Sequence, residues 1–175
     1  MKKIVFSLVL ALAIIAPAMA DWRIDIGFDI PRGLGGLAEG EAVISEEAGD
    51  FFDQYIFPFP EAGVYYQKEF GALRVGGGLR VFTFILESVY WPNAFVELDL
   101  GKVVFAFQLG GGLFGMFGLY NDLQTGQVLI PDLSAWFKIG SAFRLGGGAL
   151  GVMLPELGDA VVFAYYLGAK FAIEL

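Results

Sequence analysis

The last fifteen residues, VVFAYYLGAKFAIEL, alternate with a period of two. Val161, Phe163, Tyr165, Leu167, Ala169, Phe171, Ile173 and Leu175 make one face; Val162, Ala164, Tyr166, Gly168, Lys170, Ala172 and Glu174 make the other. Successive side chains leave a strand on opposite sides, so one side of this segment is wholly apolar and the other is mostly small or charged. The stretch DWRIDIGFDI repeats the design, with Trp22, Ile24, Ile26, Phe28 and Ile30 opposed to Arg23, Asp25, Gly27 and Asp29. Each greasy face needs an apolar neighbour. With 57% hydrophobic residues among 175, the chain is too apolar for an ordinary soluble domain of this size.

Six further segments of this kind fit between the two, at about 57–68, 71–83, 93–100, 102–114, 129–139 and 142–153. Their lengths bracket the roughly 9–11 residues that carry a tilted strand across a bilayer. The pattern predicts an all-β chain, an eight-stranded antiparallel up-and-down transmembrane β-barrel. Connections at about 32–56, 84–92, 115–128 and 154–160 read as long or irregular; turns at Lys68-Glu69-Phe70, Gly101 and Gly140-Ser141 read as short. That asymmetry is expected of an outer-membrane barrel with both termini at the short-turn, periplasmic rim. A hairpin unit recurs in PEAGVYYQKEFGALRVGGGL, PNAFVELDLGKVVFAFQLGGGL and PDLSAWFKIGSAFRLGGGAL. Pro60, Pro92 and Pro131 are expected at strand starts, where a missing N–H is tolerated, and Gly158-Asp159-Ala160 opens the last strand in a similar role.

Each repeat contains a glycine triplet, although glycine within a strand costs roughly 0.5–1 kcal/mol. The middle members, Gly77, Gly111 and Gly147, share the apolar face with Val75, Leu79, Leu109, Leu113, Leu145 and Ala149. The outer members therefore point inward with Arg74, Gln108 and Arg144, and the reading is that they make room for long charged side chains in a narrow lumen. Inward cations are Arg23, Arg74, Arg80, Lys138, Arg144 and Lys170; inward carboxylates are Asp25, Asp29, Glu61, Glu97, Asp99, Asp132 and Glu174. The signs nearly balance, which predicts a lumen charge network of mutual ion pairs rather than a selectivity ring of one sign. Inward Tyr65, Phe95, Trp136 and Tyr166 are expected to fill space beside it.

Two other architectures compete. A secreted barrel of lipocalin type would invert the faces; the bulk of Phe, Tyr, Leu and Ile on the apolar side favours the outer circumference for them. A helical membrane protein would use VVFAFQLGGGLFGMFGLY as a span, against five glycines in that stretch and a period of two elsewhere.

Residues 1–20 read as a cleaved signal peptide: Lys2 and Lys3, an apolar run from Ile4 to Ile15, and Ala18-Met19-Ala20 as the cleavage site. The outer-membrane β-barrel domain is then 21–175, with nine Lys and Arg against nineteen Asp and Glu, net −10. A basic nucleic-acid footprint is absent. With no Cys and no His, metal sites built on those ligands are excluded, and no cofactor is expected. Ser45, Ser88, Ser134 and Ser141 lack an imidazole base and a Ser-x-x-Lys pattern, so the chain reads as non-enzymatic; Glu97 and Asp99 read as ion-pair members rather than an acid–base pair. The first long loop, RGLGGLAEGEAVISEEAGDFFDQYIFPF, carries Glu39, Glu41, Glu46, Glu47, Asp50 and Asp53 against Arg32. It reads as a solvated outer loop, or as a surface for Ca²⁺, Mg²⁺ or a basic partner, without any EF-hand run.

As a pattern of strands and loop asymmetry the mature chain resembles the small eight-stranded outer-membrane barrels of the OmpX and OmpW type. Its C-terminus, with Gly168, Phe171 and Ile173, resembles the G-x-x-aromatic-x-hydrophobic assembly signal; Leu175 stands where a terminal Phe is usual. The resemblance implies outer-membrane lipid as surroundings and the barrel-assembly machinery as a partner during biogenesis in a diderm bacterium. Enzymatic barrels of omptin, phospholipase and lipid A-modifying type would imply a histidine, which this chain lacks. The expected function is an integral outer-membrane protein with a charged, plugged lumen and an acidic surface loop, in a structural or surface-presenting role. The alternative is a narrow channel for small solutes or apolar molecules.

Overall fold

Gly71, Gly101 and Gly140 take positive φ values of 65°, 85° and 72°, and each turns the chain sharply at the same rim. The computed structural model describes residues 21–38, 41–42, 56–84, 86–119, 122–153 and 161–175. The expected signal peptide at 1–20, Ser45, Gly158-Asp159-Ala160 and most of the acidic stretch lie outside these residues. The strands are β1 (Asp21–Ala38), β2 (Glu41–Ala42), β3 (Phe59–Phe70), β4 (Leu73–Phe84), β5 (Glu87–Asp99), β6 (Val103–Gly118), β7 (Gln124–Ile139), β8 (Phe143–Met153) and β9 (Val161–Glu174). From β3 to β9 each pairs antiparallel with the next, β1 pairs with β3, and β1 also pairs with β9. This closes an eight-stranded barrel, with β2 a two-residue extension paired to the end of β1. The start of β1 and the end of β9 meet at the short-turn rim, where Arg23 pairs with Glu174 and the Leu175 N–H donates to the Trp22 carbonyl at 2.8 Å.

Burial settles which face is outside. Trp22, Ile26, Phe28, Val64, Leu79, Phe105, Phe107, Leu133, Leu145, Leu167 and Phe171 are exposed, while Arg23, Asp25, Asp29, Arg80, Asp132, Arg144 and Lys170, each adjacent to one of them, are buried. This is the distribution of a membrane-spanning barrel and the reverse of a lipocalin. Outward rings gather near the ends of the wall, as Trp22 with Tyr66 and Phe143 with Phe171 at the short-turn rim and Tyr90 with Phe117 at the other. The stretch proposed above as a helical span is β6.

Several boundaries differ from the sequence reading. The first turn lies at Gly71-Ala72, and Lys68, Glu69 and Phe70 still belong to β3, in register with Val75, Arg74 and Leu73. β1 runs on through residues expected to begin the first loop. The pairing shifts between Pro31 and Gly33, and the extra residue Arg32 switches which parity faces inward, so Gly33 to Leu37 still pair with β9. A Cβ on Gly35 would lie 2.3 Å from the Phe163 ring, so RGLGGLA reads as loop by composition but serves as a strand surface for that ring. The expected 84–92 loop is instead a tight hairpin, with Phe84 opposite Glu87. Likewise β6 runs to Gly118 and β7 starts at Gln124, leaving a shorter connection than 115–128.

Proline explains part of this. Pro60 is near the start of β3, but Pro92 and Pro131 lie inside β5 and β7. Each falls where pairing to one neighbour is interrupted: β5 to β6 between Tyr90 and Asn93, β7 to β8 between Leu129 and Asp132. A residue without an N–H is tolerated at such a gap within a strand as well as at its start.

Candidate functional site

The lumen holds the chain's polar chemistry in successive layers. Its mouth at the short-turn rim is a chain of ion pairs. Arg74 pairs with Glu69, with Asp99 at 3.4 Å and with Glu174 at 3.3 Å, and Lys138 Nζ donates to Asp99 Oδ2 at 2.7 Å. Arg74, Asp99 and Lys138 are half-buried and Glu174 is exposed, as befits side chains at an opening.

A second layer centres on Arg23. Its Nε and Nη2 donate to Asp25 at 2.7 Å, and Nη1 and Nη2 donate to the two Glu97 oxygens at 2.9 Å each. Glu97 also accepts from Arg144 Nη1 at 3.1 Å, Lys170 Nζ lies 3.3 Å from Asp25, and Gln67 accepts from Arg23 at 3.3 Å. Two cations therefore share Glu97, and two share Asp25. A third layer centres on Arg80, which donates to Glu61 at 2.6 Å and to Asp132 at 2.7 Å and lies 3.5 Å from Asp29. Tyr166 donates its hydroxyl to Asp132 at 2.7 Å, Asn93 donates to Gln108 at 2.7 Å, and the Trp136 indole N–H donates to Ser134 at 2.9 Å.

Of the charges assigned inward from sequence, Arg23, Asp25, Asp29, Glu61, Arg80, Glu97, Asp132, Arg144 and Lys170 are buried in these two inner layers. Tyr65, Phe95, Trp136 and Tyr166 are buried with them. The sequence reading omitted Glu69, because it placed that residue in a turn; its odd parity with Glu61, Tyr65 and Gln67 on β3 was the available signal.

The inward glycines admit rings rather than guanidinium groups directly. A Cβ on Gly76 would lie 2.6 Å from Phe95, one on Gly110 would lie 2.2 Å from Trp91, and one on Gly168 would lie 2.3 Å from the Asp29 carboxylate and 3.1 Å from Trp136. Each ring then carries a cation: Arg23 over Phe95 at 4.6 Å, Arg80 near Trp91 at 5.9 Å, and Lys170 over Trp136 at 4.3 Å. Glycine, ring and cation form a three-part stack across the lumen, which cation–π attraction and ion pairing hold together. Gly78 and Gly146 have a different reason, because a Cβ there would strike the backbone carbonyls of Val64 and Ala135 at about 2 Å, as the tightly coiled wall demands.

Other proposed residues are placed as follows. Phe171, Ile173 and Leu175 are exposed on the outside, and Gly168 faces inward against Asp29 and Trp136. Ser88 lies 3.1 Å from the Thr83 hydroxyl, and Ser134 accepts from Trp136, so neither hydroxyl faces a base in these contacts. Among the described residues no group of three or more metal-ligating side chains comes together.

Neither a protein-family model nor a curated protein sequence matches the chain. Among solved structures it is similar to Ail, the attachment invasion locus protein of Yersinia pestis, at 15% identity over 89% of this chain and 99% of that one, with a TM-score of 0.47. It is also similar to Neisserial surface protein A, at 9% identity over 87% of this chain and 96% of that one, with a TM-score of 0.46. At these scores the architecture rests on this chain's own strand pairing and burial.

Proposed function

We propose that the chain is an integral outer-membrane protein of a diderm bacterium, a plugged barrel that stabilises the envelope or presents its long-rim segments outside the cell. One observation carries the reading: an exposed apolar wall encloses a lumen crossed by two layers of mutually paired charges. Buried charges that already satisfy one another leave no single-sign field to conduct an ion, and an eight-stranded barrel leaves little width for water beside them. The channel alternative needs a continuous water column past Arg23, Arg144 and Arg80.

In this reading residues 1–20 are removed at export, both termini are periplasmic, and the acidic stretch within 32–56 lies outside the cell. Gly168, Phe171, Ile173 and Leu175 form the assembly signal: three side chains on the outer face of the last strand remain readable while that strand is unpaired. The chain has no catalytic role. The test is planar-bilayer recording of the folded mature protein, where no steady conductance is expected. A steady wild-type conductance that survives Arg23→Ala and Arg80→Ala would overturn the plug. Protease added to intact cells should cut the 32–56 segment and spare the barrel; protection in intact but not lysed cells would reverse the topology.

A further inference from the structure

Past the Arg80 layer, towards the long rim, the inward face turns from charged to hydrocarbon. Phe82, Trp91, Phe114, Val128, Leu150 and Val152 surround a cavity of about 270 Å³, with Arg80 at its edge. Trp91 and Val128 are buried, and the other four are half-buried against them. The cavity is partly open rather than sealed, and its walls are almost wholly hydrocarbon. Here a bulkier residue at Val128 or Val152 would have filled the space, yet five neighbouring strands, β4 to β8, each contribute apolar groups to leave it open.

We propose that this chamber is a binding site for one small uncharged hydrocarbon molecule or ring. Size, polarity and charge point the same way. An apolar cavity of about 150 Å³ accepts benzene, so this one is large enough for a somewhat bigger guest. Water is a poor occupant, since it needs about 2–4 polar partners and these walls are rings and aliphatic side chains. An anionic guest has no counter-ion, because the Arg80 nitrogens are taken up by Glu61, Asp132 and Asp29. The same ion cluster blocks the chamber on its short-turn side, making it a terminal site and not a passage. The proposal depends on the plugged-barrel reading for that floor alone, and bilayer recording tests the floor independently.

The experiment uses protein isolated from membranes, labelled with 5-fluorotryptophan and held in phospholipid nanodiscs. Its three tryptophans report separately by ¹⁹F NMR: Trp22 faces lipid, Trp136 lies in the ion layers and Trp91 borders the chamber. Cyclohexane should shift the Trp91 signal saturably, while Trp22 drifts without saturation and Trp136 stays put. Cyclohexanecarboxylate at neutral pH should not compete. Val128→Phe with Val152→Phe should weaken the Trp91 response by at least about tenfold and leave Trp22 unchanged; if the pair fails to fold, Val152→Phe alone should weaken it in the same direction. A Trp91 response that never saturates, that persists in the filled variants, or that the carboxylate reproduces would overturn the proposal.

Discussion

Gly76 and Gly77 are adjacent in β4 and face opposite ways. A Cβ at Gly76 would strike Phe95 at 2.6 Å, whereas one at Gly77 meets nothing nearer than the Asn93 carbonyl at 3.6 Å. Gly76→Ala should therefore destabilise the barrel by about 1–3 kcal/mol and Gly77→Ala should be near neutral, as read from urea titration of the folded fraction in vesicles. Adding Phe95→Leu should recover part of the Gly76→Ala loss, because the two side chains compete for one space. The arginines divide in the same manner. Arg80→Ala strands Glu61, Asp132 and Asp29 away from water and should cost about 3–5 kcal/mol. Arg74→Ala leaves Glu69 and Glu174 at an open mouth and should cost under about 1 kcal/mol. Equal losses for the two would mean that the layers are not distinct.

Strand β6 carries the one described glycine triplet that bends its strand. Gly111 and Gly112 have φ values of 119° and 84°, opposite the interrupted pairing to β5 around Pro92. A Cβ on Gly112 would meet nothing within 4 Å, so Gly112→Ala tests backbone conformation free of packing. It should cost about 1–2 kcal/mol, and a neutral outcome would show that the bulge relaxes freely. The outer face of β9 offers a second test at this scale. Leu167 is exposed while Tyr166 and Gly168 are buried, so Leu167→Arg should cost about 2–4 kcal/mol in a bilayer and far less in a lumen. A neutral Leu167→Arg variant would reverse the assignment of faces.

The whole barrel combines three environments on one wall: lipid outside, paired ions through the short-turn half of the lumen, and hydrocarbon beyond Arg80. Paired buried charges contribute little net stability, but they tolerate few rearrangements and so hold one strand stagger against its neighbours. Closure of the sheet through the β1–β9 pairing predicts that residues 21–175 fold from urea into detergent or lipid, with sheet by circular dichroism and a faster band on unheated gels. A chain that stays soluble without amphiphile would contradict the membrane-spanning wall.

The period of two, clearest in VVFAYYLGAKFAIEL and DWRIDIGFDI and repeated in six segments between them, determined the eight barrel strands and their antiparallel hairpin order, because side-chain direction in a strand is a local property. It failed where the chain departs locally from that rule: the Arg32 bulge, the tight Phe84–Glu87 hairpin, and prolines lodged in mid-strand gaps. What meets what across the lumen was decided only by closure. Arg23 reaches Glu97 from 74 residues away, and Phe95 lies over Gly76 with Arg23 over its ring. Those partners depend on strand tilt and stagger summed around the whole barrel, and no single strand's sequence specifies that sum.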